Sequence, residues 1–289
     1  MDMEVAMDIR KNRTPHVVLA FIAGFLGMGL GYVYVGRARL AATTIAALFL
    51  TIGFFAWTRL IVQSATMLWL MAAILVLVVL VALIHPIVLA AGGRAIPEKR
   101  YNRWWFYLIW SLGTALIGPT IYFSRATILG YETFRVSSLA MSPSLDMGDV
   151  FVSDSWRYHN HAVMVGEIVV FERPENPGIK YIKRVVAVAG DSIELRDGFL
   201  YRNGRDVPES YLHAPMPFGR NSRSIALSTL APGMFYLLGD YRDNSMDSRQ
   251  WGPFPTTSLR GRVQYIWWSR ASDGQVRWDR IGKRLPPLP

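Results

Sequence analysis

The sequence predicts a membrane protein in which about four N-terminal transmembrane helices precede a mainly antiparallel β-domain on the extracytoplasmic side. Long apolar runs are confined to the first 123 of the 289 residues, whereas short strand-like runs separated by turn residues follow Arg135. In addition, 52% of the residues are hydrophobic, a high share for a soluble domain. We therefore expect a membrane domain over residues 1–123 and a β-domain over residues 124–289.

Four apolar runs make up the predicted membrane domain. They cover residues 17–35, 40–57, 67–91 and 104–123. A helix needs about 20 apolar residues to cross the hydrocarbon core of a bilayer, and each run is near or above that length. Trp57, Trp104 and Tyr122 lie near the ends of these runs, where an aromatic belt is expected. Each run is therefore predicted to be a transmembrane helix.

The distribution of basic residues between the runs predicts the orientation. The second connection contains only Arg59, whereas the first and third together contain Arg37, Arg39, Arg94, Lys99, Arg100 and Arg103. Short loops rich in Lys and Arg stay in the cytoplasm. This pattern predicts that the β-domain lies on the trans side of the membrane, where exported proteins emerge.

Composition and charge exclude several functional classes. The formal net charge is +10, but the basic residues cluster beside apolar runs, so we expect them to set topology and not to bind nucleic acid. The chain has no cysteine, which excludes disulfides, thiolate metal sites and a cysteine nucleophile. The sequence also lacks recognisable metal-ligand sets, paired carboxylates and Gly-rich phosphate loops. We expect neither a metal nor a cofactor.

The half after Arg135 is predicted to consist of β-strands. Short apolar runs bounded by turn residues predict strands over 150–152, 168–171, 181–188, 192–195, 199–201, 234–238 and 262–268. The dipeptides Asp197-Gly198 and Asn203-Gly204 predict tight turns. Because no helical period is sustained in this half, we expect a mostly antiparallel domain.

Four motifs in this half carry the chemistry. They read SLAMSPSL at 138–145, GEIVVF at 166–171, YIKRVVAVAGD at 181–191 and GDYRDNSMDSRQWG at 239–252. In this order and spacing they resemble the motifs of the type I signal peptidases, the Ser-Lys proteases that cut signal peptides from exported proteins. The family patterns for the first and last motifs are S-x-S-M-x-P-T-L and G-D-N-x-D-N-S-x-D-S-R-x-W-G. The resemblance covers residues 136–268 and leaves the membrane half outside it.

The resemblance implies a role for each matched position. The nucleophile of the family is a serine, and Ala140 occupies its position here, while Lys183 matches the general base. Ser138, together with the backbone N–H of residue 140, matches the oxyanion hole, and Ser245 matches the residue that orients the lysine. The supporting residues are Met141, Pro143, Asp247 and Arg249.

Elementary chemistry agrees with a lysine base. A serine hydroxyl is a weak nucleophile that needs a base active near neutral pH. A lysine can act in this way only if burial lowers its pKa from about 10.4. Lys183 lies in an apolar strand, where alternation sends Lys183 and Val185 to one face and Arg184 to the other. An ion pair between Asp247 and Arg249 is expected to position the loop and not to react, because an ionised carboxylate beside the lysine would raise its pKa.

Partners and location also follow from the resemblance. It implies that the substrates are preproteins whose signal peptides carry small residues at the −1 and −3 positions. It further implies a location in the bacterial inner membrane, with the catalytic domain facing the periplasm. The four apolar runs predict a multi-pass protein in contact with the lipid bilayer. Met141, Trp251 and Phe254 either place this domain against the bilayer surface or belong to its core.

Ala140 has no hydroxyl, so the chain as printed is expected to be inactive. One explanation is an engineered Ser-to-Ala change in an active peptidase, and another is a natural pseudoenzyme that binds signal peptides or membrane proteins without cleaving them. We favour the engineered change, because Ser138, Lys183 and Ser245 are all retained and a buried lysine is useful mainly for catalysis. A dedicated maturation peptidase of a secretion system would look similar. A four-span scaffold or transporter with an incidental β-domain is a further interpretation.

Overall fold

The structure, a computed structural model, describes residues 12–94, 96–97, 103–196, 199–212, 225–226, 229–285 and 287. The chain divides into two compact units, with boundaries after residues 60, 66 and 128. The first unit contains the long apolar helices. The second contains every strand from residue 131 onward, together with the short segment 61–66.

The N-terminal half is mainly helical. Its helices are α1 (Val17–Leu26), α2 (Leu30–Tyr34), α3 (Ala38–Trp57), α4 (Leu60–Gln63), α5 (Ala65–Ala91), α6 (Trp104–Phe123) and α7 (Arg125–Ile128), and a short antiparallel pair joins β1 (Asn12–Arg13) to β2 (Ile96–Pro97). Among the described residues, α3, α5 and α6 are long and apolar enough to cross a membrane. They correspond to the last three predicted spans.

The first apolar run differs from the prediction of a single spanning helix over 17–35. The chain divides there into α1, with ten residues, and α2, with five. Gly29 between them has a φ of 82°, a left-handed conformation that glycine adopts readily. Met28 lies between the two helices, and Trp110 Nε1 donates a 2.8 Å hydrogen bond to its carbonyl. This bond gives the carbonyl a partner where the helix is interrupted. A fourth spanning helix is therefore not confirmed. The orientation predicted from the loops between four spans is not confirmed either.

The short helix α2 is buried within the first unit. All five of its residues are buried. Gly31 allows a close approach to α5, because a Cβ on Gly31 would lie 3.0 Å from the Pro86 ring. The hydroxyl of Tyr32 lies 3.1 Å from His85 Nδ1. The apolar composition of α2 thus reflects burial between helices.

The second unit is built around a seven-stranded antiparallel sheet, which confirms the predicted type of domain. From one edge to the other its strands are β12 (Phe254–Pro255), β11 (Met234–Leu238), β6 (Asn176–Val188), β5 (Ile168–Arg173), β13 (Leu259–Ser269), β4 (Asp149–Asp154) and β3 (Tyr131–Arg135). A smaller sheet has the order β10 (Ile225–Ala226), β7 (Ile193–Arg196), β8 (Phe199–Arg202) and β9 (Arg205–Asp206). Two short helices, α8 (Arg157–Asn160) and α9 (Ser248–Trp251), complete the unit.

Local sequence explains much of this arrangement. Asn203 and Gly204 join β8 to β9 with φ values of 55° and 73°, which confirms the predicted turn. The Asp197-Gly198 turn lies outside the described residues. Both faces of the large sheet are covered at β5, because Ile168 belongs to one apolar cluster and its neighbour Val169 to another.

Gly148→Ala is expected to destabilise the second unit more than Gly190→Ala. Both glycines have left-handed backbones, with φ values of 92° and 90°, so both changes share a conformational cost of about 1 kcal/mol. A Cβ on Gly148 would lie 2.0 Å from the Arg270 carbonyl oxygen, whereas no atom lies within 4 Å at Gly190. We expect an additional penalty of about 1–3 kcal/mol for Gly148→Ala. Unfolding midpoints in detergent test this, and equal midpoints for the two variants would contradict it.

Candidate active site

The predicted nucleophile position lies in the loop between β3 and β4, residues 136–148, which we call the nucleophile loop. Ala140 is buried, and its carbonyl accepts a 3.1 Å hydrogen bond from the Tyr241 amide. The amide of Leu145 donates to the Met141 carbonyl at 2.9 Å, which closes one turn of the loop. The side chains of Met141 and Leu145 both lie in an apolar core cluster. The backbone of residue 140 is therefore fixed by the core next to it and by the loop that contains Tyr241.

Ser138 and Pro143 lie on the same loop. Ser138 is exposed, two residues before Ala140, so its hydroxyl is accessible to a peptide bound at this loop. Pro143 follows a cis peptide bond, and its carbonyl oxygen lies 3.4 Å from Arg280 Nη2.

Lys183 lies within β6 and is 6% exposed. Its Nζ donates a 3.1 Å hydrogen bond to the carbonyl of Ile182. Burial lowers the pKa of Lys183 below the ordinary value of 10.5; Asp247 and Asp240 act against this, and Arg249 adds to it. The net direction is that of an amine that loses its proton more readily than a free lysine.

Gly239 lies between the nucleophile loop and Ser245. A Cβ on Gly239 would lie 2.1 Å from Ser245 Oγ and 2.7 Å from the Ala140 carbonyl oxygen. Ser245 Oγ donates a 2.8 Å hydrogen bond to Asp247 Oδ2, and the Gly239 amide donates to the same oxygen at 3.0 Å. Ala140 and Ser245 are therefore close neighbours, separated by a position with no room for a side chain.

Asp247 and Arg249 are buried and joined by an ion pair in which Arg249 Nε lies 2.8 Å from Asp247 Oδ1. Asp247 also caps the N-terminus of α9, because its carboxylate accepts a hydrogen bond from the Arg249 amide. In return, Gln250 Oε1 accepts a hydrogen bond from the Asp247 amide at 3.0 Å. Arg249 donates to the carbonyls of Arg242 and Ser245 at 2.6 and 3.1 Å. These contacts hold the loop that contains Ser245.

The structure thus places residues of the four motifs in one region. Ala140 and Ser245 meet at Gly239, and Lys183 interacts electrostatically with Asp247. The resemblance implies a hydrogen bond between Ser245 and Lys183. Among the described residues, the hydrogen bond of Lys183 Nζ goes to a backbone carbonyl and that of Ser245 Oγ goes to Asp247.

Sequence reasoning missed a buried ion pair between Arg184 and Asp240. Their side chains form two parallel hydrogen bonds of 2.8 and 2.7 Å, and both are almost fully buried. Arg184 also donates to the Gly166 carbonyl at 2.8 Å and to Ser144 Oγ at 3.0 Å. Each of the four motifs therefore supplies one member of this cluster. The signal in the sequence was an arginine beside Lys183, followed by the apolar residues 185–188 of the same strand.

A second feature outside the motifs covers this ion pair. The segment after β9 places the Tyr211 ring over Arg184, with the guanidinium carbon 4.2 Å from the ring centroid. Glu209 in the same segment pairs with the buried Arg242. Nothing in the sequence distinguished these residues from an ordinary polar loop.

The structure favours the core interpretation for the three apolar residues that were candidates for bilayer contact. Met141 and Phe254 are 2% and 4% exposed, and each belongs to an apolar cluster. The half-buried Trp251 packs edge-on against Tyr181, with ring centroids 5.6 Å apart. A bilayer contact through Met141 or Phe254 is therefore not supported.

The surroundings of the loop contain a cavity but no metal-binding cluster. In the part of the chain that the structure describes, no group of three or more His, Cys, Asp or Glu residues could hold a metal ion. A cavity of about 560 Å³ beside the loop is lined by residues that include Val136, Leu139 and Met147. Its lining also includes Arg135, Asp146, Arg270 and Arg277, so the cavity is not apolar throughout.

Comparisons with known proteins show which sequences and structures the chain is similar to. The family described as "Signal peptidase, peptidase S26" matches residues 107–268, more than half of the chain. A probable signal peptidase I-1 of Synechocystis sp. is 30% identical over 158 residues, which is 52% of this chain and 76% of the relative. The thylakoidal processing peptidase 1 of Arabidopsis thaliana is 33% identical over 154 residues, 49% of this chain and 44% of that one. A signal peptidase I structure from Enterococcus faecalis aligns with 29% identity and a TM-score of 0.32, covering 35% of this chain and 97% of that chain.

Asp240→Asn is expected to cost about 3–5 kcal/mol of unfolding free energy, because it leaves the buried guanidinium of Arg184 without its counter-charge. Glu194→Gln is the control, since it breaks an ion pair with Arg196 whose side chains are 38% and 59% exposed. Such an exposed pair contributes about 0–1 kcal/mol. Denaturant unfolding in detergent compares the two variants. A similar small loss for both would contradict the importance assigned to the buried pair.

Lys183→Met is expected to raise the thermal midpoint at neutral pH, because it removes the cost of burying an ammonium group. Below the folded-state pKa of Lys183 this cost is fully present. The cost disappears as the pH rises from that pKa to the ordinary value of 10.5. The rise in thermal midpoint caused by Lys183→Met should therefore shrink across this pH range. Each kcal/mol regained corresponds to about 2–4 °C for a unit of this size.

Lys180→Met is the matched control for this prediction. Lys180 lies on the same strand but is partly exposed and pairs with Glu132 at 3.0 Å. Its replacement is expected to change stability by about 0.5 kcal/mol or less. A destabilising effect of Lys183→Met at neutral pH would contradict the lowered pKa.

Proposed function

Because the chain belongs to the peptidase S26 family of signal peptidases, we propose that, with serine at position 140, it is a membrane-bound serine endopeptidase that removes N-terminal signal peptides from exported preproteins. The observation that carries the proposal is the burial of Lys183 in the same region as the loop of residue 140. A lysine in this setting is costly to keep charged, and its value lies in acting as a base.

The proposed reaction begins with proton transfer to Lys183. In the chain with serine at position 140, the neutral amine takes the hydroxyl proton as the oxygen attacks the carbonyl carbon of the residue before the cleavage site. The peptide C–N bond then breaks, and the protonated lysine gives its proton to the leaving amine. Water, activated by the same lysine, hydrolyses the acyl-enzyme and releases the signal peptide.

The developing negative charge on the carbonyl oxygen requires donors. The backbone N–H of residue 140 and the exposed hydroxyl of Ser138 are the proposed pair. Loss of one such donor typically costs about 10²–10³-fold in rate. This amide shares a peptide plane with the Leu139 carbonyl, which accepts a 2.9 Å hydrogen bond from the Ser142 amide, and that bond supports a fixed orientation.

Ser245 is proposed to position the lysine amine. Its single hydroxyl proton is directed at Asp247, so its oxygen remains available as an acceptor on the other side. Asp247 and Arg249 are proposed to act only through this loop, because their charges are already paired with each other.

Family membership and composition support a proposed location and a proposed substrate class. The apolar helices α3, α5 and α6 support placement in a bilayer. We propose the bacterial inner membrane, with the β-domain on the periplasmic side, as the distribution of basic residues between the helices suggests. The proposed substrates carry small residues at the −1 and −3 positions.

Ala140 supports a second candidate function. A chain without the nucleophile could bind signal peptides without cleaving them, as a pseudoenzyme would. The retention of Ser138, Lys183 and Ser245 favours instead an active peptidase from which one oxygen has been removed by design. A peptidase dedicated to the components of one secretion system remains an alternative within the same chemistry.

Ala140→Ser is expected to produce cleavage of a preprotein with an Ala-x-Ala site, at a rate at least about 10³-fold above that of the Ala140 chain. The assay follows release of the mature protein in detergent, with mass analysis of the new N-terminus. The rate should rise with pH as Lys183 loses its proton, with the midpoint below 10.5.

Ala140→Ser combined with Lys183→Met is the control and is expected to be inactive while still folded. If the serine chain stays inert but binds the preprotein, the pseudoenzyme function is favoured. If it neither cuts nor binds, the proposed substrate is wrong.

A further inference from the structure

The chain continues past the residues matched by the family, and this continuation packs against the nucleophile loop. We refer to residues 270–285 as the C-terminal segment; they follow the matched span 107–268. Leu285 is 6% exposed and belongs to the same apolar cluster as Met141 and Leu145. Its amide donates to the Gln264 carbonyl of β13 at 2.9 Å. The C-terminal segment is therefore part of the core beneath residue 140.

A fully buried carboxylate, Asp149, joins this segment to the loop. Asp149 Oδ1 accepts hydrogen bonds from Ser269 Oγ at 2.7 Å and from Arg277 Nη2 at 3.0 Å. Asp149 Oδ2 accepts from Arg280 Nη2 at 2.6 Å and from the Asp146 amide at 2.8 Å. A charge buried to this extent is stable only because both oxygens have several donors.

Arg280 contacts three residues of the nucleophile loop. Its Nη2 lies 3.4 Å from the Pro143 carbonyl oxygen and 3.3 Å from that of Ser144. Its Nη1 lies 3.0 Å from Asp146 Oδ2. The planar guanidinium thus links Asp149 to the turn that immediately follows the nucleophile position.

Arg277 shares the same carboxylate but contacts different backbone. It donates to Ser269 Oγ at 2.8 Å and to the Met147 carbonyl at 2.9 Å. Both arginines therefore stabilise Asp149, and only Arg280 bonds the carbonyls of residues 143 and 144.

We propose that Arg280, held by Asp149, is a positioning residue that fixes the turn 141–146 and through it the orientation of residue 140. The C-terminal segment then completes the site from outside the region shared with the family. This inference rests on the proposed peptidase function, since orientation of residue 140 matters to that reaction.

The lowered pKa of Asp149 indicates that its carboxylate stays charged, and so stays paired with Arg280, at neutral pH. Burial alone would raise the pKa of Asp149, but the hydrogen bonds from Arg280, Ser269 and the Asp146 amide outweigh it and hold the pKa below the ordinary value of 3.8. The stabilisation is therefore fully present above pH 3.8 and is lost only as the pH falls through the lower, folded-state pKa.

Arg280→Gln in the Ala140→Ser chain is expected to lower kcat by about 10²-fold with KM little changed, because a small misplacement of the nucleophile has an effect of that order. Arg277→Gln is the control, expected to keep kcat within about threefold, because it leaves the contacts with the carbonyls of residues 143 and 144 in place. It removes one donor, Nη2, from Asp149, whereas Arg280→Gln removes both Nε and Nη2, so the thermal midpoint should fall less in Arg277→Gln. Arg280→Lys keeps the positive charge but lacks the planar pair of donors. Compared with Arg280→Gln, it should therefore recover the thermal midpoint more fully than kcat. Equal kcat losses in the two glutamine variants, or an unchanged kcat in Arg280→Gln, would overturn the proposal.

Hydrogen exchange in the Ala140 chain gives a readout that does not need activity. The Leu145 amide, which closes the turn, should exchange faster in Arg280→Gln than in Arg277→Gln. If the Ala140→Ser parent cuts no preprotein, the proposed function fails, and the exchange comparison still decides the role of Arg280. Equal exchange in the two variants would overturn that role. If Arg280→Gln does not fold, Arg280→Lys takes its place in both measurements.

Discussion

The ion pair between Arg184 and Asp240 is the interaction on which the rest of the site depends. The Ser144 hydroxyl and the Gly166 carbonyl complete the hydrogen bonding of Arg184, so four distant parts of the sequence meet around one guanidinium. Removing charges from water is expensive, and the cost is offset only when every partner is in place. The strand that contains Lys183 and the loop that contains residue 140 are therefore held in one relative position.

Much of the fold could be predicted from local patterns, and the exceptions are places where tertiary contacts decide. Short apolar runs and the Asn203-Gly204 turn predicted a mostly antiparallel β-domain, because such signals act within a few residues, although the edge strands β3 and β12 were not predicted. Hydropathy identified α3, α5 and α6 in the same way. It could not reveal the break at Gly29, because the residues of α2, which are buried between helices, have the same apolar composition as residues that face lipid. The Trp110 bond to the Met28 carbonyl, 82 residues away, supports that break.

The site was predictable to a similar extent. The burial of Lys183 follows from its apolar neighbours, and the grouping of the motifs follows from the resemblance. The bond from Ser245 to Asp247 was not predictable, because its direction depends on how the loop after β11 closes over Gly239. Arg280 was missed for another reason. It lies beyond every motif, in a segment whose composition gave no indication of a contact with residues more than 130 positions earlier.

The position of Arg280 in the chain has a consequence for biosynthesis. Ribosomes add about 5–20 residues per second, so the nucleophile loop is made on the order of ten seconds before the arginine that holds it. During that interval the loop lacks a contact that only later residues can supply. On the proposed function, a newly synthesised molecule would therefore acquire its fully ordered cleavage site only after residue 280 has been made.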